Sequence, residues 1–157
     1  MHSMRTDMIS HPHKTLFVHI PKCGGQNIED MFLSDLGVDR KDQSQLLLRK
    51  RRRGESGPPK LGHLTASDYT GLGFIERELY DAYYRFSVVR NPLDRLRSAY
   101  NYLGFRDLVG FAYFVDEIAE KSLERRDSWH WFIRPQTDFL LDANGNLLVD
   151  EYFRLEN

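Results

Sequence analysis

The sequence predicts a single α/β domain built around a parallel sheet. Two short, mostly apolar runs of strand length, at residues 15–20 and 85–89, are each followed by a turn and a helix-like pattern. Continuous apolar runs are typical of strands covered on both faces, as parallel strands are. At 157 residues the chain is long enough for one domain with a substantial core.

The composition excludes several classes of protein. Hydrophobic residues make up 41% and aromatic residues 13%, which favours a globular chain over a disordered one. The net charge of −1 gives no indication of general polyanion binding, and no nucleic-acid partner is expected. Cys23, the single cysteine, excludes an internal disulfide and favours a reducing compartment. Because no signal peptide or apolar run of roughly 18 residues is present, we expect no membrane span and a cytoplasmic location.

The first predicted unit is a strand, a turn and a helix. We expect a loose lead-in at 1–14, with the domain covering 15–157, and a strand at 15–20 (TLFVHI). After Gly25 a set of apolar residues has the spacing of one helix face, and Gly37 is a plausible stop. That set is Ile28, Met31, Phe32 and Leu36. Strand, turn and helix form the opening of a βαβ unit.

Residues 39–60 have a different character. The basic run Arg49–Arg53 is followed by glycines and prolines between positions 54 and 59. This composition predicts an exposed, mobile excursion. The basic run would contact an anionic polysaccharide or bind nucleic acid weakly, or it is a solvated loop, which is the favoured interpretation.

A second strand and helix follow. A helix is expected at 76–84 and a strand at 85–89, after which Asn91 can cap a helix and Pro92 can occupy its first turn. The apolar stripe of that helix consists of Leu93, Leu96, Tyr100 and Leu103. Further helices are expected at 111–123 and 128–140, and a turn at Asn144-Gly145.

The segment FVHIPKCGGQN, residues 17–27, has the features of an anion-binding loop. A helix starting after Gly25 would direct its free N–H groups and the positive end of its dipole toward the loop. Gly24 and Gly25 allow close backbone approach, and Lys22 adds a mobile charge. Neither G-x-G-x-x-G nor the Walker A pattern is present, because Lys22 precedes the glycines. The alternative is an ordinary turn with an exposed lysine.

The segment VVRNPLDRLRSAY, residues 88–100, supplies a second candidate anion site. The strand places Arg90 at its carboxyl end, and Asn91, Asp94 or Arg95, and Ser98 fall on one helix face. A guanidinium and a hydroxyl two turns further on can hold a phosphate in a forked geometry. The alternative is a surface helix with ion pairs.

Together the two motifs resemble those of the carbohydrate sulfotransferases of the glycan 2-O/4-O branch, which use 3′-phosphoadenosine 5′-phosphosulfate (PAPS). The first resembles the family's 5′-phosphosulfate loop and the second its 3′-phosphate motif. From about Thr15 onward, the resemblance implies a three-layer α/β/α sandwich with a central parallel sheet, P-loop NTPase-like. It also implies PAPS as donor, a carbohydrate acceptor and no metal. The implied cofactor-binding residues are Pro21, Lys22, Cys23, Gly24, Gly25, Gln26, Asn27, Arg90 and Ser98.

The chain departs from the family pattern in three places. Gln26 and Asn27 stand where the family usually has Thr-Ser, which removes two hydroxyls but keeps hydrogen-bond donors. Residues 39–60 match no family segment. The C-terminal YFRLEN resembles a segment that a further helix normally follows, which indicates a truncated chain.

Two residues are the candidates for catalysis. Sulfuryl transfer resembles phosphoryl transfer, so a cation is needed near the bridging oxygen, and Lys22 suits that role. His63, in LGHL, resembles the family histidine that acts as base, and a near-neutral pKa suits the task. The alternative is a loop histidine that caps the turn at Thr65–Asp68. His19, inside the first strand, is expected to be a packed or hydrogen-bonded core residue.

The segment HWFIRPQ resembles the family's His-x-x-Pro-Gln region. It implies substrate or cofactor contacts by His130, Arg134 and Gln136, with tryptophan packing as the alternative. Cys23 is expected to be a bystander, although a thiol at a helix N-terminus can have a lowered pKa. The rival functions are a nucleotide or small-molecule kinase of the same fold class and an inactive nucleotide- or polyanion-binding module.

Overall fold

The computed structural model describes residues 8–39, 41 and 49–156. A four-stranded sheet with the order β1-β2-β3-β4 organises them. The strands are β1 (Ile9–Ser10), β2 (Thr15–Val18), β3 (Tyr84–Val89) and β4 (Glu151–Arg154). β2, β3 and β4 pair in parallel, whereas β1 pairs antiparallel with β2. The predicted α/β class with a mostly parallel sheet is confirmed, and the three-layer sandwich stays a prediction.

Strand β1 lies inside the predicted lead-in. Met8, Ile9 and Ser10 are buried, and the carbonyl of Met8 accepts a hydrogen bond from the N–H of Phe17 at 2.9 Å. The strand therefore covers the edge of β2 that would otherwise be open. A loose lead-in is wrong for residues 8–10, and residues 1–7 lie outside the described residues.

The two predicted strand–helix units are present. α1 (Gly25–Asp35) follows β2, and α4 (Pro92–Tyr102) follows β3. Gly37, just beyond α1, has a φ of 63°, a left-handed conformation that commonly ends helices. At α4 the side-chain oxygen of Asn91 accepts from two N–H groups of the first turn, at 3.0 and 3.3 Å. The predicted cap and first-turn proline are confirmed.

The apolar stripe predicted for α4 is largely confirmed. Tyr100 is buried, and Leu96 and Leu103 pack in the same cluster, while Leu93 is 56% exposed. In α1 the buried residues are instead Gly25, Glu29 and Leu33, and Met31 is 67% exposed.

Both helices also bury a charged side chain. Glu29 of α1 lines the cavity described below. Arg95 of α4 is 4% exposed and donates hydrogen bonds to backbone carbonyl groups inside the protein.

The remaining described helices are short. The 3-10 turns are Leu61–His63 and Phe105–Asp107, and the helices are α2 (Ala66–Gly71), α3 (Arg77–Ala82), α5 (Phe111–Tyr113), α6 (Glu120–Arg125), α7 (His130–Ile133) and α8 (Thr137–Leu140). A π-helical turn, Phe114–Ala119, joins α5 to α6. The helix predicted at 128–140 is interrupted because Pro135 holds the preceding residue in an extended conformation. In the part of the chain that is described, no helix is long and apolar enough to cross a membrane.

The sheet and these helices share a hydrophobic core. Its larger cluster includes Leu16 and Val18 of β2, packed with Leu64, Tyr69 and Phe139. A second cluster surrounds α4 and the segments that follow it. β2 and β3 run parallel, with Val18 opposite Ser87, so both strands end at the same edge of the sheet.

Residues 49–60, called here the basic loop, form a closed structure. The guanidinium of Arg49 donates two hydrogen bonds to the carboxylate of Glu55, both at 2.7 Å, and holds the pKa of that carboxyl down to about 2. Lys50 and Lys60 pair as an antiparallel bridge that closes the loop. Most residues of the basic loop are exposed, as predicted, and the ion pair and the bridge connect its two ends. Residues 40 and 42–48 lie outside the described residues.

Candidate functional site

The two strand–helix units meet around a cavity of about 570 Å³ at the carboxyl ends of β2 and β3. Ligands in open α/β sheets bind at this edge. The sequence-predicted residues that line it are Pro21, Lys22, Gly24, Gly25, Gln26, His63, Arg90 and Ser98. Residues from both motifs therefore contribute to one cavity, as the sequence predicts.

The loop before α1 has an unusual backbone. Lys22 has a φ of 67° and Gly24 a φ of 76°, both in the left-handed region. For a lysine this conformation is uncommon and strained, and such strain is concentrated at functional sites. The N-cap residue of α1 is Gly24, which provides no side-chain hydrogen bond to the helix start. The first turn of α1 therefore has backbone N–H groups suited to an anion.

Two cations lie beside this loop. The ammonium group of Lys22 is 4.1 Å from the centre of the Tyr102 ring. The guanidinium of Arg90 donates to the carbonyl oxygen of Lys22 at 3.3 Å. Burial, and then the charge of Arg90, lowers the pKa of Lys22. Because neighbouring like charges disfavour each other, an anion bound between them would be stabilised by both.

Gln136 connects the two motifs without lining the cavity. Its side-chain oxygen accepts from the N–H of Arg90 at 2.9 Å, and its amide donates to the Arg90 carbonyl at 2.8 Å. The thiol of Cys23 donates to the same oxygen at 3.3 Å. The side chain of Gln136, a predicted substrate contact, therefore clamps the backbone of the second motif to the side chain of Cys23 in the first.

Arg95 supports the anion-binding loop from the protein interior. Its Nε donates to the carbonyl of Pro21 at 2.9 Å, and its Nη1 donates to the carbonyl of Arg134 at 2.7 Å. Its Nη2 is buried and has no hydrogen-bond partner among the described residues. Burial lowers the pKa of Arg95. The sequence placed Arg95 on a polar surface face, and no local signal distinguishes the inward orientation.

The predictions for two other residues receive less support. His130 and Arg134 do not line the cavity. Arg134 instead donates to the carboxylate of Asp138 at 3.3 Å and lies over the ring of Trp131. Burial raises the pKa of the Cys23 thiol to about 11, which is consistent with the expected bystander role and not with a reactive thiolate.

His63 lines the cavity but does not have the expected titration. Its Nδ1 lies 3.4 Å from the carbonyl oxygen of His19. Burial, and then the proximity of His19, lowers the pKa of His63 to about 3, so the near-neutral value is wrong. The capping alternative also fails, because Thr65 and Asp68 cap each other.

Sequence reasoning missed several residues that line the same cavity. His19 is hydrogen-bonded as expected, through its Nδ1 to Glu29 at 2.6 Å, but both residues also face the cavity. Tyr102 lies one helical turn after Ser98, a spacing that could have identified it. Lys50 and Lys60 reach the cavity from the basic loop, which only the loop closure reveals. Within the described part of the chain, no group of three or more His, Cys, Asp or Glu residues could hold a metal ion.

Comparison with known proteins identifies the family. A search of curated proteins and a search of solved structures each found no match. Residues 5–136 match the family model described as "Sulfotransferase family". This span contains both strand–helix units, the Gln136 clamp and every cavity-lining residue except Leu155. Since the match covers most of the 157 residues, the chain belongs to the sulfotransferase family.

Proposed function

We propose that this protein transfers a sulfuryl group from PAPS to a hydroxyl group of a carbohydrate. One observation carries the proposal: Lys22 of the first motif and Arg90 of the second lie side by side in one cavity. PAPS bears anionic groups at the 5′ and 3′ positions of a single ribose, so it requires two neighbouring anion sites. A nucleotide without a 3′-phosphate would leave the second site empty.

The donor would bind along the edge of the sheet. The loop from Pro21 to Asn27 holds the 5′-phosphosulfate with backbone N–H groups and the ammonium of Lys22. Arg90 and Ser98, which both line the cavity, hold the 3′-phosphate. The left-handed backbone at Lys22 and Gly24 supports this arrangement, because it shapes the loop around the start of α1.

The reaction requires charge stabilisation at the leaving oxygen. As the bond between sulfur and the bridging oxygen breaks, negative charge develops on the 5′-phosphate. Lys22 is the cation of the phosphosulfate loop, and a preorganised cation stabilises the transition state more than the ground state. His63, which also lines the cavity, would contact the acceptor hydroxyl. Its lowered pKa keeps it neutral, which allows it to accept or donate a hydrogen bond.

The charges around the cavity favour an anionic carbohydrate as acceptor. Lys50 and Lys60 add two ammonium groups to the ammonium of Lys22 and the guanidinium of Arg90. Among the described lining residues the only carboxylate is Glu29, which is bonded to His19. A cavity lined mainly by positive charge attracts an anionic substrate and raises its local concentration.

Nucleotide binding tests this function directly. We expect 3′,5′-adenosine bisphosphate to bind at least about tenfold more tightly than 5′-AMP, because a hydrogen bond to a charged group contributes about 1.5–3 kcal/mol. Arg90→Ala should remove most of this preference and leave 5′-AMP affinity little changed. Calorimetry on both proteins measures it. Equal wild-type affinities would contradict the PAPS assignment, since a kinase shows no dependence on the 3′-phosphate.

Turnover provides the second part of the test. PAPS is incubated with the protein and with chondroitin, dermatan or desulfated heparin, and the release of 3′,5′-adenosine bisphosphate is followed. Release that depends on a polysaccharide supports transfer. Release without any acceptor indicates hydrolysis, and no release together with tight nucleotide binding indicates a binding module.

A further inference from the structure

We propose that His19 and Glu29 form an acid–base pair in this site, and that His19 accepts the proton of the acceptor hydroxyl. The inference rests on the proposed sulfuryl transfer and assigns it a proton acceptor. It also gives a role to a histidine that its position in the first strand predicts to be only a core residue.

The pair is buried and held in a defined orientation. His19 follows β2 directly, and Glu29 lies in the second turn of α1, so the two residues bracket the anion-binding loop. Their side chains are joined at 2.6 Å, and the residues are 7% and 8% exposed. When a carboxylate accepts from Nδ1–H, the neutral imidazole has its lone pair on Nε2. Glu29 therefore fixes the tautomer that can accept a proton at Nε2.

The ring of His19 packs against the start of α1. A Cβ atom built on Gly25 would lie 2.1 Å from Cδ2, 2.3 Å from Nε2 and 2.8 Å from Cγ of His19, which places it over the face of the ring and not in the ring plane. The imidazole therefore occupies the space that any side chain at position 25 would need. His19, Gly25 and Glu29 all line the cavity, and among the described residues Nε2 has no hydrogen-bond partner. Contact with Gly25 therefore does not occupy the in-plane lone pair of Nε2, which lies beside the end of the phosphosulfate loop.

His63 is the other imidazole at this wall, and its surroundings are less favourable for a positive charge. The two rings are 4.6 Å apart between centroids. The Nδ1 of His63 faces the carbonyl of His19, whereas the Nδ1 of His19 faces a carboxylate. Burial lowers the pKa of His63 to about 3, so protonated His63 is strongly disfavoured.

The other charged groups of the cavity reinforce this difference. Lys22, Lys50, Lys60 and Arg90 are all positive and oppose a new cation on either histidine. Glu29 opposes this effect for His19 alone, because its carboxylate is in direct contact with that ring. The proton therefore goes to His19, and neutral His63 orients the acceptor oxygen through a hydrogen bond.

In the transfer step, the acceptor oxygen attacks sulfur and forms the new S–O bond while its proton moves to Nε2 of His19. The bond between sulfur and the bridging oxygen breaks, and its electron pair remains on the 5′-phosphate of 3′,5′-adenosine bisphosphate. The imidazolium that results is paired with the carboxylate of Glu29, and it returns the proton to solvent after product release.

Three substitutions in the pair and one control outside it test the inference. His19→Gln and Glu29→Gln preserve size and hydrogen bonding but remove proton transfer and charge, respectively. His13→Gln is the control, because His13 pairs with Asp35 at 3.1 Å outside the cavity. The kcat is measured with saturating PAPS and the polysaccharide that gives the fastest wild-type turnover. The Kd for 3′,5′-adenosine bisphosphate is measured by calorimetry on the same samples.

We expect His19→Gln to lower kcat by about 10²–10⁴-fold, as loss of a general base does, while Kd stays within about threefold. Glu29→Gln should lower kcat less and move the acidic limb of the kcat profile to lower pH, because the carboxylate that stabilises the imidazolium is gone. Glu29→Asp should recover part of the lost rate. His13→Gln should behave like wild type.

Two outcomes would overturn the inference. A His19→Gln protein with wild-type kcat would exclude His19 as proton acceptor. Parallel losses of kcat and nucleotide affinity would mean that the pair only supports the loop. If His19→Gln does not fold, Glu29→Gln decides, and an unchanged pH profile there rejects the pair. A wild type without preference for the 3′-phosphate would instead reject the proposed function itself.

Discussion

The two strand–helix units share a topology but differ in the groups that they offer to an anion. In the first unit α1 begins after Gly24, which provides no side-chain cap, so its first backbone N–H groups are not bonded by a cap. In the second unit α4 begins after Asn91, whose side chain occupies the first N–H groups, and Pro92 has none. Under the proposed function, anion binding there would fall to the side chains of Arg90 and Ser98. The same topology would thus give one backbone site and one side-chain site.

The difference extends to the backbone strain of each unit. The first unit contains left-handed residues at Lys22 and Gly24, whereas the second passes from β3 into α4 with none. Backbone sites need the chain to curve around the ligand, and this curvature requires positive φ. Side-chain sites need only a strand end and a helix face. In the first unit, therefore, the proposed anion binding depends directly on the backbone conformation of the loop.

Removing the lysine of the first unit should have the largest effect. Lys22→Ala is expected to lower kcat by about 10²-fold or more, because a preorganised charge at the leaving oxygen is lost. Stability should change little, since alanine keeps the Cβ at the same left-handed backbone. The measurement is kcat with PAPS and the best polysaccharide acceptor, together with a thermal unfolding curve.

Lys14→Ala is the matched control for this change. Lys14 is exposed, has a φ of 49° and lies outside the cavity. It should therefore retain wild-type kcat. Near-normal turnover in Lys22→Ala would remove this lysine from the mechanism and leave the backbone as the main feature of the first site.

Acidification should destabilise the folded protein through His63, which lies beside the first unit. The pKa of His63 is about 3 when folded and about 6.5 when unfolded, so between these values only the unfolded chain gains the proton. Stability is thus fully present above pH 6.5 and is lost as pH falls toward 3. From pH 7 to pH 5 the loss should be about 1–2 kcal/mol. Denaturant unfolding at each pH measures it.

A variant at position 63 tests whether His63 causes this pH dependence. His63→Gln cannot gain a proton and should lose less stability than wild type over the same pH range. His13→Gln should retain the full wild-type pH dependence. Identical slopes for wild type and His63→Gln would show that His63 is not held neutral.

Removing the cap of the second unit should have the smallest effect on binding. Asn91→Ala is expected to cost about 1 kcal/mol of stability, as loss of an N-cap does. Affinity for 3′,5′-adenosine bisphosphate should remain close to wild type, because the ligand uses Arg90 and Ser98. Thermal unfolding measures the change in stability, and calorimetry measures the nucleotide affinity. A loss of affinity as large as that of Arg90→Ala would place the cap inside the second site and remove the contrast between the units.

The sequence was sufficient where the signal is local. The strand before Pro21, the glycines of the loop and the Asn91-Pro92 helix start all depend on neighbouring residues, and all were predictable. The inward side chains of Glu29 and Arg95 were not, because apolar spacing does not reveal charged side chains whose hydrogen-bond partners lie elsewhere in the chain. His63 shows the same limit, since its pKa depends on burial and on His19, which lies 44 residues away in the chain.

The clamp formed by Gln136 has a consequence for the order in which the site is made. Its bonds reach back 46 residues to Arg90 and 113 residues to Cys23. During synthesis both motifs leave the ribosome well before the residue that joins them. Contacts of such sequence separation form late, because the intervening chain must first be brought together. The nascent chain therefore carries both halves of the site for some time before position 136 emerges and fixes them to each other.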